Sequence, residues 1–188
     1  VKIEAMVFVE VDAAPGAHLA EVEFVQEQSQ IEPRLRAIVA SMPLEKGAAV
    51  EPDLVAYALF PLARGVRRLI KGREPGWALR DDFVVGVKLL AKFGFTFDLC
   101  LFHPQLTEVT ELVRRRLEVG FVIDHLAKPG IRAGLREPWG SELRTIARQS
   151  NVWCKISCVV TEADHRTGPK PTSRPISSMP STASGSTA

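Results

Sequence analysis

Six short runs rich in Val, Ile and Phe recur along the chain, and each is separated from the next by a stretch whose apolar residues have helical spacing. The runs are MVFVEV (6–11), AIVAS (37–41), VRRLI (66–70), FDLCLF (97–102), FVID (121–124) and VWCKIS (152–157). Most are almost continuous in apolar residues, the pattern of parallel strands covered on both faces. Between them, residues 17–30 place Leu19, Val22, Phe24 and Val25 at helical intervals, and residues 53–60 do so with Leu54, Val55, Ala58 and Leu59. Residues 81–93 carry Phe83, Val84, Val87, Leu90 and Ala91, with Gly94 placed to cap the helix. Residues 107–117 carry Val109, Leu112, Val113 and Leu117, and Arg114, Arg115 and Arg116 fall in the last turn, where the helix dipole favours cations. Residues 138–149 group Trp139, Leu143, Ile146 and Ala147. Strand and helix alternate throughout, which predicts an α/β fold with a parallel sheet and right-handed crossovers. Two closures fit: a (β/α)8 barrel and an open doubly wound sheet.

Charge excludes one class of partner. The net charge is +2, and Arg166, Lys170 and Arg174 contribute three bases after residue 165 with no acid; subtracting them leaves the remainder at −1. Such a body is not a nucleic-acid binder. No stretch reaches the ~20 apolar residues of a membrane helix, so no membrane partner is expected. The opening VKIEAMVFVEV lacks a signal-peptide pattern and reads as a strand. Cys100, Cys154 and Cys158 are few and odd in number, as in a reducing compartment, and a cytoplasmic protein is expected. Cys154 and Cys158 do not have redox-pair spacing and read as small apolar packing residues. His18 and His165 read as surface residues. Residues 1–165 form the expected domain. Residues 166–188 are dominated by Ser, Thr and Pro, and disorder is expected because such a segment cannot bury enough surface to offset its chain entropy.

In parallel α/β folds the site lies at the carboxyl ends of the strands. Polar residues converge there from several runs: Glu10, then Arg67 and Arg68, then His103 and Gln105, then Asp124, His125 and Lys128, then Lys155 and Ser157. Glycine-rich nucleotide-binding motifs are absent.

GVRRLI, FDLCLFHPQL, FVIDHLAKP, the following Pro138–Trp139 and NVWCKIS…TEAD resemble the amidohydrolase-related family of metal-dependent TIM-barrel hydrolases, which includes sugar lactonases of the fuconolactonase and rhamnonolactonase type. The resemblance spans roughly residues 6 to 165. It implies an incomplete (β/α)8 TIM barrel of about six parallel strands with helices outside, opening on the family's second strand and stopping after its seventh. A first-strand His-x-His pair and a late Asp, usual in the family, are absent, and Cys158 stands where Gly is usual. A reading-frame shift beyond codon 165 would account for the abrupt change of composition.

The resemblance further implies a hydrolase acting on a small-molecule lactone, with a divalent metal such as zinc in complete relatives. His125 would join the catalytic cluster as a metal ligand or a carbonyl polariser. Arg67, with its planar fork, suits a substrate carboxylate or ring oxygens. His103 would hydrogen-bond a substrate hydroxyl or the leaving oxygen. Gln105, Lys128, Lys155 and Glu10 are the expected substrate-binding residues, and Asp124, pointing opposite to His125 along the strand, reads as structural. A chain so truncated is expected to be inactive or weakly active, and to self-associate through its open sheet edges. The other readings are a non-catalytic oligomerising α/β domain and an open-sheet small-molecule binder.

Overall fold

All six runs form strands, and every neighbouring pair is parallel: β1 (Met6–Val9), β2 (Leu35–Ser41), β3 (Ala63–Leu69), β4 (Thr96–Cys100), β5 (Phe121–Ile123) and β6 (Val152–Cys154). The computed structural model describes residues 2–165, so the Ser/Pro/Thr-rich segment 166–188 lies outside the described residues. One α-helix follows each of the first five strands: α1 (His18–Ile31), α2 (Glu51–Ala58), α3 (Asp81–Leu89), α4 (Leu106–Arg115) and α5 (Trp139–Ile146).

Strand order decides between the two closures. The sheet runs β1-β2-β3-β4-β5-β6, in sequence order throughout. A doubly wound sheet reverses its order at a switch point, whereas a barrel does not. The sheet curls into a part-barrel with the helices around it.

The register sorts each strand into two faces. Ala40, Val66, Phe97, Phe121 and Val152 lie side by side across β2 to β6. All but Val152 are fully buried, and the row packs under the helices. Burying a Phe or Val in this way contributes about 1.5–3 kcal/mol. The adjacent row, Ser41, Arg67, Asp98, Val122 and Trp153, faces the inside of the curl. That parity separates the two arginines of VRRLI. Arg67 turns inward, while Arg68 pairs with Glu45 on the helix side, its Nε 2.9 Å from Oε2.

Close contacts fix the helices. Tyr57 of α2 is fully buried and donates its hydroxyl to the carbonyls of Ile38 (2.6 Å) and Gly65 (2.9 Å), so one phenol ties α2 to β2 and β3. Burial pushes its pKa up to about 12. Gly86 in α3 lets the helix meet the segment Leu44–Val50, since a Cβ there would lie 2.1 Å from the Leu44 carbonyl oxygen. The expected cap at Gly94 is present, at φ +67° after the 3-10 turn Leu90–Phe93.

Two expectations change. Cys154 and Cys158 are exposed, not packed; β6 has a single strand neighbour among the described residues. His18 is half-buried at the start of α1, its Nε2 3.4 Å from Asp53 Oδ2 in α2. His165 is exposed, as expected.

Candidate active site

A pocket of about 440 Å³ opens at the carboxyl ends of the strands, lined by residues that include Glu10, Asp12, Arg67, Lys71, Cys100, His125 and Lys128. It brings together Glu10, Arg67, His125 and Lys128 of the seven residues expected from sequence; His103, Gln105 and Lys155 do not line it.

An ionic network runs through the inner face. Arg67 donates from Nε to Glu10 Oε1 at 2.6 Å, from Nη2 to the Glu10 carbonyl at 2.6 Å, and from Nη1 to Asp124 Oδ2 at 3.2 Å. The other oxygen of Asp124 lies 2.7 Å from Lys155 Nζ, and Lys155 also bonds Asp98. Glu10, Arg67, Asp124, Lys155 and Asp98 therefore form one chain of alternating charge linking the ends of β1, β3, β5 and β6 to β4. Glu10 (2% exposed), Asp124 (1%) and Asp98 (2%) are buried. Buried carboxylates are tolerated when paired in this way. Burial would lower the Arg67 guanidinium, but its bond to Glu10 and the charges around it hold it above its ordinary range. Burial raises the Asp98 carboxyl, although Lys155 opposes the shift.

This network reassigns Asp124. Strand parity does separate Asp124 from His125, but Asp124 is the residue on the inner side. His125 returns to the pocket because the chain leaves β5 through four consecutive non-glycine residues in the left-handed region: His125 (φ 52°), Leu126 (55°), Ala127 (55°) and Lys128 (48°). Each such residue costs roughly 1–2 kcal/mol, so the turn needs external support. The Leu126 amide donates to the Lys155 carbonyl (3.2 Å), and the indole of Trp139 donates to the Leu126 carbonyl (2.7 Å). His125 Nδ1 lies 2.9 Å from Ser157 Oγ, which leaves Nε2 for a ligand. Burial lowers the His125 pKa, so its imidazole is neutral near pH 7.

The remaining expected residues have other partners. Lys128 donates to Glu162 at 2.9 Å and holds that carboxyl below its ordinary range. Gln105 spends its amide on backbone, donating to the Ile70 carbonyl (2.8 Å) and accepting from the Phe102 amide (3.1 Å). His103 opens the turn after β4, beside Gly130, with Nδ1 buried and no hydrogen-bond partner for it among the described residues.

The zinc that the resemblance implies for complete relatives has no donor set here. Among the described residues no three His, Cys, Asp or Glu side chains cluster as ligands. Glu10, Asp98 and Asp124 are neutralised by Arg67 and Lys155, and one nitrogen of His125 is already bonded. The described residues do not fit the metal.

The amidohydrolase family model matches residues 3–179. The chain belongs to this family. It is 31% identical to an L-fucono-1,5-lactonase of Burkholderia multivorans over 155 residues, 79% of this chain and 52% of that one. An L-fucono-1,5-lactonase of Burkholderia ambifaria is 30% identical over 67% of this chain and 42% of its own length. The chain thus spans about half the length of the curated relatives it matches. Among solved structures, an amidohydrolase from Burkholderia multivorans with bound zinc superposes with a TM-score of 0.78 at 28% identity, covering 89% of this chain and 58% of that one. Amidohydrolase 2 from Bifidobacterium longum subsp. infantis gives 0.62 at 25% identity, over 81% and 54%.

Proposed function

We propose that this chain is a lactone-type hydrolase whose pocket receives a sugar lactone or similar cyclic ester, and that its turnover is weak. The observation that carries the reading is the imidazole of His125, held by Ser157 at Nδ1 and brought to the pocket by a strained turn. Hydrolysis adds a water oxygen to the acyl carbon and breaks the ring C–O bond. The ring oxygen takes one water proton, and the other leaves as the acid ionises. A neutral imidazole can accept the water's proton and return it to the ring oxygen, which contributes about 10²–10⁴-fold to such a step. Arg67 holds Glu10 and Asp124 in place at the pocket wall, and Lys128 is the residue best placed to meet substrate hydroxyls. Asp124 and Lys155 act from beneath. Turnover is weak in this reading because every buried carboxylate near the pocket is tied to a cation, which leaves the imidazole of His125 to act as the base.

Hydrolysis of L-fucono-1,5-lactone and a panel of related lactones by the full chain, followed with a pH indicator with and without added Zn²⁺, tests this. The expected result is turnover above the buffer rate, at least ~100-fold below that of the Burkholderia multivorans lactonase, and lost in His125→Asn. No turnover on any lactone would reject the enzyme reading, and turnover equal to the relative's would reject the claim of weakness. An oligomerising domain without catalysis is the second reading, favoured by the exposed apolar side chains Val7 on β1 and Trp153 on β6, the two outer strands.

A further inference from the structure

Of the charged groups that line the pocket, most are already spent. Arg67 is held by Glu10 and Asp124, Lys128 by Glu162, and Glu10 by Arg67 and the Asp12 amide (2.6 Å). Lys71 and Asp12 have no side-chain partner among the described residues. Asp124 and Glu162 offset Arg67 and Lys128 from behind the lining, so the charges left free to meet a ligand are Lys71 and Asp12.

Lys71 differs from an ordinary surface lysine in the backbone beneath it. Its amide donates to the Cys100 carbonyl at 2.9 Å, beside the Ile70 amide, which donates to the same oxygen at 3.0 Å. The Ile70 carbonyl in turn accepts from Gln105 Nε2 at 2.8 Å, and the Ile70 side chain is fully buried. Three hydrogen bonds and one core anchor thus hold the backbone at residues 70–71 against β4 and the start of α4. The stem of Lys71 rises from a fixed base beside the pocket, and its ammonium is unpaired. A lysine at the pocket lining without an internal partner is free to meet an anionic ligand.

We propose that Lys71 is the pocket's anion-binding residue, taking the carboxylate that a lactone yields when its ring opens. This rests on the lactone-hydrolase reading for the identity of the anion, though not for its charge. The site then binds the sugar acid more tightly than an uncharged sugar, and the acid inhibits turnover. Asp12 is the one unpaired carboxylate in the lining. It limits how tightly an anion binds and disfavours a dianion.

The test is titration of the ¹⁵N-labelled full chain with L-fuconate, and with L-fucose as the uncharged control, following backbone chemical shifts. The wild type is expected to bind fuconate more tightly than fucose, with an affinity that falls as salt is added. Lys71→Met should weaken fuconate ~5–10-fold and leave fucose unchanged, while Lys71→Arg retains most of the fuconate affinity. Since the side chain is exposed, unchanged thermal melts should show that the variants fold. Equal affinity for the two ligands in the wild type, or unaltered fuconate binding in Lys71→Met, overturns the proposal. If fuconate binds through Lys71 but no lactone is hydrolysed, the anion site stands and the hydrolase reading falls. Lactone turnover with fuconate binding indifferent to Lys71 gives the reverse.

Discussion

Arg67 satisfies two carboxylates that have almost no contact with water, so truncating it does more than remove one bond. Arg67→Met leaves Glu10 and Asp124 short of a cation inside the sheet. Breaking a buried pair in this way costs about 3–5 kcal/mol, and urea unfolding should show an unfolding free energy lowered by that amount. Glu10→Gln combined with Arg67→Met should cost less than the two single changes together, since each alone strands the other's charge. Cys158 makes an opposite prediction. It sits at φ 52°, where an L side chain is strained, and Cys158→Gly should stabilise by about 1 kcal/mol in the same assay. The sequence pattern exposed this oddity, because Cys158 stands where the family usually has Gly. It exposed less of the network. Asp98 was the discernible clue, an acid inside the apolar run FDLCLF, but its partner Lys155 lies 57 residues away and only the register brings them together. Lys71 carried no signal at all, since a lysine after a strand reads as solvated until its backbone bonds are known.

The turn that follows β5 decides how His125 behaves. Periodicity reads FVID as a strand and cannot foresee four left-handed residues in a row, because no glycine marks them. Parity alone expects Asp124 to point away from the pocket that His125 enters; the turn instead brings His125 to the pocket while Asp124 meets Arg67 on the inner side. The indole of Trp139 holds this turn through the Leu126 carbonyl. Trp139→Phe keeps the aromatic packing and removes that bond, so it should cost roughly 0.5–1.5 kcal/mol. Hydrogen exchange at residues 125–128 should rise more than elsewhere; uniform exchange across the chain would show that the indole does not support the turn. The same turn sets a pH dependence. Burial lowers the folded pKa of His125 below its unfolded value, so its contribution to stability is complete above about pH 6.5 and is lost as pH falls through the folded pKa. Acid destabilisation from pH 6.5 downward should therefore be shallower in His125→Asn, and an NMR titration of the wild-type ring should place its pKa below the ordinary imidazole value.

At the scale of the whole molecule, six strands in sequence order give a curled sheet in which β1 and β6 each have one neighbour among the described residues. The alternation of strand and helix made this architecture legible, because a strand buried on both faces and a right-handed crossover leave few arrangements. The exposed edges have a chemical consequence. Ile3, Val7 and Val11 are half or more exposed along the first strand and its flanks, and Trp153, Ile156 and Val160 along the last. Among the described residues each edge has no second strand beside it, and an edge strand of that kind is the template on which another strand pairs. The full chain is therefore expected to associate with itself, with a sedimentation coefficient that rises over a ~100-fold range of concentration at neutral pH, driven by apolar burial and edge pairing. Val7→Lys together with Trp153→Lys places a charge on each edge where no core contact is lost, so the double variant should stay monomeric over the same range while its thermal melt is little changed. A wild type that sediments as a single monomeric species at every concentration would mean that these edges are already satisfied, and the oligomerising reading would fall with them.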